Sequence, residues 1–123
     1  MKEEVKRWWQ SALKDLDTAK ANFEIKKYSY SAFLCQQAAE KALKSLDLKL
    51  SGKIIKTHDL VFLGRRVKAP TILLEKCGKI NPVYTDSRYP DFSTKEVYTR
   101  EKVEELLTYS KEVLEWVKLQ LNI

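Results

Sequence analysis

Two stretches at opposite ends of the chain carry apolar residues in the same rhythm. Val5, Trp9, Ala12, Leu16, Ala19 and Phe23 are spaced 4, 3, 4, 3, 4, and Val103, Leu107, Ser110, Leu114, Val117 and Leu121 repeat that spacing with a serine at its third position. A helix turns once every 3.6 residues, so each set lies along one face of a long helix. The first is predicted over Lys2 to about Lys26 and the second over Arg100 to about Leu121, capped by Thr99. Trp8 flanks the first stripe and is expected to widen the core face. A stripe of this length needs another element to bury it, so the chain must fold as packed helices.

The partner is predicted between Ser29 or Ser31, either of which can serve as an N-cap, and about Lys49. This helix has an apolar row, Ala32, Cys35, Ala39, Ala42, Leu46 and Leu50, and a second, Leu34 and Ala38, with Leu43 between them, so it is expected to be contacted on several sides. Ser51-Gly52 stops it. After a short connection, Thr57 or Asp59 can cap a third helix from Leu60 to about Lys68, ended by Ala69-Pro70, and Thr71 starts a fourth that ends around Gly78 to Pro82. Residues 82–98 read as a loop of seventeen residues. That exceeds the 12–15 or so usual for structureless connections, and Tyr84, Tyr89, Phe92 and Tyr98 imply that it packs against the rest. The fold class is therefore all-α: an antiparallel up-and-down helical bundle of three long and two short helices, in one domain spanning 1–123.

Composition narrows the function classes. Three glycines and three prolines in 123 residues argue against a many-turned β protein. No apolar run approaches the 18 or so residues of a membrane span, and the N-terminus leads straight into amphipathic sequence, so a soluble, cytoplasmic protein is expected. Cys35 and Cys77 read as small buried side chains, with a disulfide between them left open; no Cys-x-x-Cys pair or cysteine–histidine spacing points to a metal. The net charge of +6 is unevenly placed: residues 28–68 carry eight basic side chains against three acidic ones. Lys41, Lys44, Lys49, Lys53, Lys56, Arg65, Arg66 and Lys68 form either a phosphate-binding patch or a solvated lysine-rich surface.

The densest polar pattern is Gln36-Gln37-Ala38-Ala39-Glu40-Lys41-Ala42-Leu43-Lys44, with Gln37/Lys41 and Glu40/Lys44 at i, i+4. Fourteen residues later comes the only histidine, in Thr57-His58-Asp59-Leu60. His58 is where any acid–base chemistry near neutrality must begin; beside capping residues it also has a structural reading, fixing the helix entry. Paired carboxylates are poorly placed for a metal, since adjacent or i, i+2 residues such as Asp15/Asp17 and Glu104/Glu105 do not share a helix face. No Gly-rich phosphate loop, Gly-x-Ser-x-Gly elbow or nucleotidyltransferase signature is present. A candidate ligand site remains: Gln37, Glu40, Lys41, Lys44, His58, Arg88 and Tyr89, with cations for phosphate and a tyrosine for stacking on a base. The bland alternatives are an intrahelical Glu40–Lys44 pair worth about 0.3–0.5 kcal/mol and an Arg88 held by Asp86 or Asp91.

That helix and histidine, with Arg88-Tyr89-Pro90-Asp91, Trp8-Trp9 and Asp15-Leu16, resemble the HEPN family of small helical bundles over nearly the whole chain. The resemblance implies a nucleotide- or nucleic-acid-associated module, a homodimer, or the substrate-binding partner of a minimal nucleotidyltransferase in a toxin–antitoxin-like pair. Catalytic members resemble one another in an Arg followed four to six residues later by His. Here the single histidine follows only Arg7, fifty-one residues on. A non-catalytic module without cofactor or metal is therefore expected, against two rivals: a ribonuclease with a non-standard site around His58, and a purely structural oligomerisation bundle.

Overall fold

The computed structural model describes residues 1–94 and 97–123. Three long helices form the bundle: α1 (Glu3–Glu24), α2 (Tyr28–Ser51) and α6 (Arg100–Leu121). Between the last two lie α3 (Leu60–Arg66), α4 (Thr71–Ile80), α5 (Pro82–Asp86) and a single 3-10 turn, Phe92–Thr94. No strand occurs among the described residues.

The predicted stripe of α1 is buried at all six positions. On α6 five of the six predicted positions are buried; Leu107 is half-buried, and Leu106 and Val113 are enclosed as well. α2 runs through the middle, against α1 on one side, α6 on another and the short helices on a third. Its Ala32, Ala38, Ala39 and Ala42 are wholly enclosed, and such small side chains let neighbouring helices approach closely. Leu50, assigned above to the core row, is instead 64% exposed, because the last turn of α2 projects beyond its neighbours.

Two buried serines lock the seam. Ser31 Oγ donates to the carbonyl of Ala19 on α1 at 2.7 Å, and Ser110 Oγ donates to the carbonyl of Cys35 at 2.8 Å, which explains a serine in the apolar rhythm of α6. Neither Ser29 nor Ser31 caps α2; the helix starts at Tyr28 without a side-chain cap, and both serines lie buried inside it. The contacts also fix direction. α1 is antiparallel to α2, since Ser31 meets Ala19 while Lys41 reaches Asp15. α2 and α6 run parallel, since Cys35 meets Ser110 and Lys49 reaches the carbonyl of Leu121. The short helices return the chain to the start of the bundle, which refines the simple up-and-down alternation.

The expected seventeen-residue loop contains α5 and the 3-10 turn, with Lys95 and Glu96 outside the described residues. Pro82 at the first position of α5 presets helical φ and lacks the N–H that would otherwise go unpaired there. Phe92 and Tyr98 are buried edge to face, and Tyr98 donates its hydroxyl to Asp86 at 2.6 Å. Burial, then that carboxylate, push the Tyr98 phenol's pKa up. Cys35 and Cys77 are free, buried thiols rather than a disulfide.

Candidate functional site

On α2, Gln36, Glu40 and Lys44 succeed one another at i, i+4 and so form one row. All three are buried: Gln36 entirely, Glu40 to 5% exposure and Lys44 to 6%. A buried charge must be paired and hydrogen-bonded, and this row pairs itself. Glu40 Oε2 accepts from Lys44 Nζ at 3.0 Å, while Oε1 accepts from Gln36 Nε2 at 3.1 Å and faces His58 Nδ1 at 2.9 Å. Gln37 supports the row, donating to Gln36 Oε1 at 2.7 Å.

His58 is set over this row by the start of α3. Asp59 caps that helix, accepting from the N–H groups of Val61 and Phe62, and takes a third bond from Asn81 at the end of α4. Asn81 in turn accepts from the Leu60 N–H at 2.8 Å, so one amide ties the entry of α3 to the exit of α4. These bonds, the Asn81 amide foremost, hold the Asp59 carboxyl below its ordinary pKa. The imidazole then lies flat on Tyr84 of α5, ring centroids 3.9 Å apart and planes 13° from parallel. The Arg88 guanidinium sits 5.3 Å from the Tyr84 ring centre. Half of the histidine side chain remains exposed, at the mouth of an open cleft of about 530 Å³ lined by Thr57, Asn81, Tyr84 and Thr85 as well.

A neutral imidazole that donates Nδ1–H to Glu40 carries its lone pair on Nε2, at the opposite edge of the ring. The arrangement offers a fixed aromatic face at the cleft, with a guanidinium beside the tyrosine that supports it. No group of three or more His, Cys, Asp or Glu among the described residues could hold a metal ion.

The structure divides the predicted residues. Glu40, Lys44 and His58 meet directly, Gln37 joins them through Gln36, and Arg88 joins through Tyr84. Lys41 turns away to α1, bound to Asp15 at 2.8 Å and Ser11 at 2.9 Å. Tyr89 lies on the surface, and Tyr84 makes the stack instead. Lys44 is no part of a solvated patch, because its ammonium is bound to Glu40; Arg66 is likewise paired, with the buried Asp47 at 3.1 Å. Sequence reasoning missed two members. Gln36 was legible as the residue four before Glu40, whereas Tyr84 gave no local signal, its short helix having too few residues to show a period.

The fold is an all-helical bundle with a self-paired polar row in its central helix and a half-exposed histidine over it. A family model for the HEPN domain matches residues 5–120. The chain belongs to the HEPN family. Two solved structures are similar along their whole length. The crystal structure of TT1696 from Thermus thermophilus is 28% identical, with a TM-score of 0.87 over 97% of this chain and 99% of that one. That of ST0689, an archaeal HEPN homologue, is 33% identical, with a TM-score of 0.81 over 98% of both. Comparison with curated proteins found no match.

Proposed function

We propose that the protein is a non-catalytic HEPN module that binds a nucleotide, free or within nucleic acid, in the His58 cleft. The observation that carries this is the half-exposed imidazole, immobilised between Glu40 and Tyr84 with Arg88 beside the same tyrosine. The outer face of His58 is a rigid platform for a base, and the guanidinium is the group that best matches phosphate. Titration calorimetry with purine and pyrimidine nucleotides tests it. Binding that weakens as salt rises, and that Arg88→Ala and His58→Ala each reduce, is the expected result. No binding by any nucleotide or oligonucleotide would leave the purely structural bundle.

The Glu40–His58 contact favours a second reading, in which Nε2 acts as a general base in RNA cleavage. Cleavage by purified protein, abolished in His58→Ala, would replace the non-catalytic reading. HEPN membership also supports docking to a minimal nucleotidyltransferase, a homodimer and a cytoplasmic setting; among the described residues no helix is long and apolar enough to cross a membrane. Support for the dimer comes from a groove of about 200 Å³ between α1 and α6, where Trp9, Leu13, Leu16 and Leu114 come together and Leu13 is 44% exposed. Sedimentation equilibrium at micromolar concentration is the check, and a monomer there would remove the dimer.

A further inference from the structure

The polar row does not end at His58. Lys44 Nζ, bonded to Glu40, lies 5.7 Å from the ring centre of Trp8 on α1. His58 and Trp8 therefore stand on either side of one buried ion pair, the first against the carboxylate and the second over the ammonium. The α2 helix places surface between them. At 100° per residue, Gln37 falls between Glu40, which faces His58, and Lys41, which faces α1, and Gln37 is only half-buried.

Trp8 was expected above to widen the core. Its neighbour Trp9 belongs to the core at 6% exposure, and Trp8 packs against that core as expected while the rest of its ring lines a cleft of about 380 Å³ with Glu4, Arg7, Ser11 and Lys41. Two cations, a hydroxyl and a carboxylate around an indole are poorly suited to an apolar protein surface. They suit a phosphate and the polar edge of a base, with the indole as the stacking face. Lys41 is ion-paired with Asp15 and bonded to Ser11, so Arg7, exposed at the rim, is the cation left to meet a phosphate.

The geometry points to a single-stranded nucleic acid as the ligand, with one base on His58, another on Trp8, and the backbone crossing α2 at Gln37 between Arg88 on one side and Arg7 on the other. It rests on the binding reading above and adds a second base site to it. A ligand with one base fills only half of this face, so affinity must rise with chain length.

Fluorescence anisotropy with a labelled mixed-sequence RNA hexanucleotide and its DNA counterpart, alongside mononucleotide titration, is the test. The hexanucleotide should bind at least tenfold more tightly than the mononucleotide. Trp8→Ala should weaken the hexanucleotide about tenfold, the low end of what one base–aromatic stack supplies, and leave the mononucleotide unchanged. His58→Ala should weaken both. Because Trp8→Ala also uncovers Lys44, Arg7→Ala provides an independent variant on an exposed side chain; it should lower the slope of log affinity against log salt for the hexanucleotide by about one. The relative affinity of RNA and DNA shows whether the sugar is read. Mononucleotide binding with no gain from length, or a gain that neither Trp8→Ala nor Arg7→Ala reduces, overturns it and leaves the His58 cleft standing. Absence of binding by mononucleotide and hexanucleotide alike overturns both.

Discussion

Replacing Glu40 by Gln keeps the volume of the side chain and removes the charge that Lys44, Gln36 and His58 converge on. An exposed i, i+4 pair of this type would lose only about 0.3–0.5 kcal/mol. Here the two side chains are 6% and 7% exposed, so the comparison is with a buried pair that has lost one partner, which costs about 3–5 kcal/mol. The low end applies, because Lys44 keeps the Trp8 ring and the amide oxygen still accepts one bond; we expect about 3 kcal/mol. For a chain of 123 residues the unfolding entropy implies about 4 °C in Tm for each kcal/mol, and so a fall of about 12 °C. Lys44→Met should cost less, since Glu40 retains Gln36 and His58. The double variant should recover much of the loss, because a buried pair replaced by groups without charge no longer pays for desolvation. Urea unfolding of the four proteins gives the coupling energy, expected above about 1 kcal/mol and insensitive to salt. Single-variant losses below about 0.5 kcal/mol that simply add would show that the row is solvated, and the account of the site as a buried self-paired row would fall.

Asp59 titrates below the ordinary carboxylate range when folded, so on acidification the unfolded chain binds its proton first. The stabilisation is complete above about pH 4 and is lost as pH falls through the lower folded value. Asp59→Ala should cost about 1 kcal/mol near neutrality and flatten that acid limb in urea titrations. Burial pushes the Cys35 and Cys77 thiols up to about 12, so neither should react with a thiolate-selective reagent until the protein is denatured. Rapid native-state labelling of either would contradict their placement. Ala39→Asp puts a carboxylate at a fully enclosed position and should abolish cooperative thermal unfolding at ordinary temperatures, whereas exposed Lys53→Asp should stay within about 0.5 kcal/mol.

Period and capping chemistry made much of the fold readable. The rhythm of α1 placed six buried residues correctly, and Asp59 and Thr99 cap α3 and α6 through the short polar side chains that suit that position. Ser31 misled because a serine hydroxyl can bond a distant carbonyl as readily as a first-turn N–H, and only the approach of α1 decides which. The segment after Pro82 misled because five helical residues are too few to display a period. At the site, the Glu40/Lys44 spacing was visible but not its burial, which is a property of what packs over α2. The His58–Tyr84 stack joins two separate elements through tertiary structure alone. No local pattern encodes it.

The direction of the long helices sets an order of assembly. α1 and α2 are joined by three residues, with Lys26 at φ 63° turning the chain, so their contacts close a short loop. The contact of α6 with α2 through Ser110 and Cys35 spans 75 residues and must close a long one, at greater entropic cost. The α1–α2 hairpin is thus the natural nucleus, and it already contains Trp8, Glu40 and Lys44. His58, Tyr84 and Arg88 arrive with the segment that brings α6 home. A nascent chain would hold half of the proposed binding face with its alanine seam still open to solvent, and hydrogen exchange should find the His58 half opening at lower free energy than the Trp8 half.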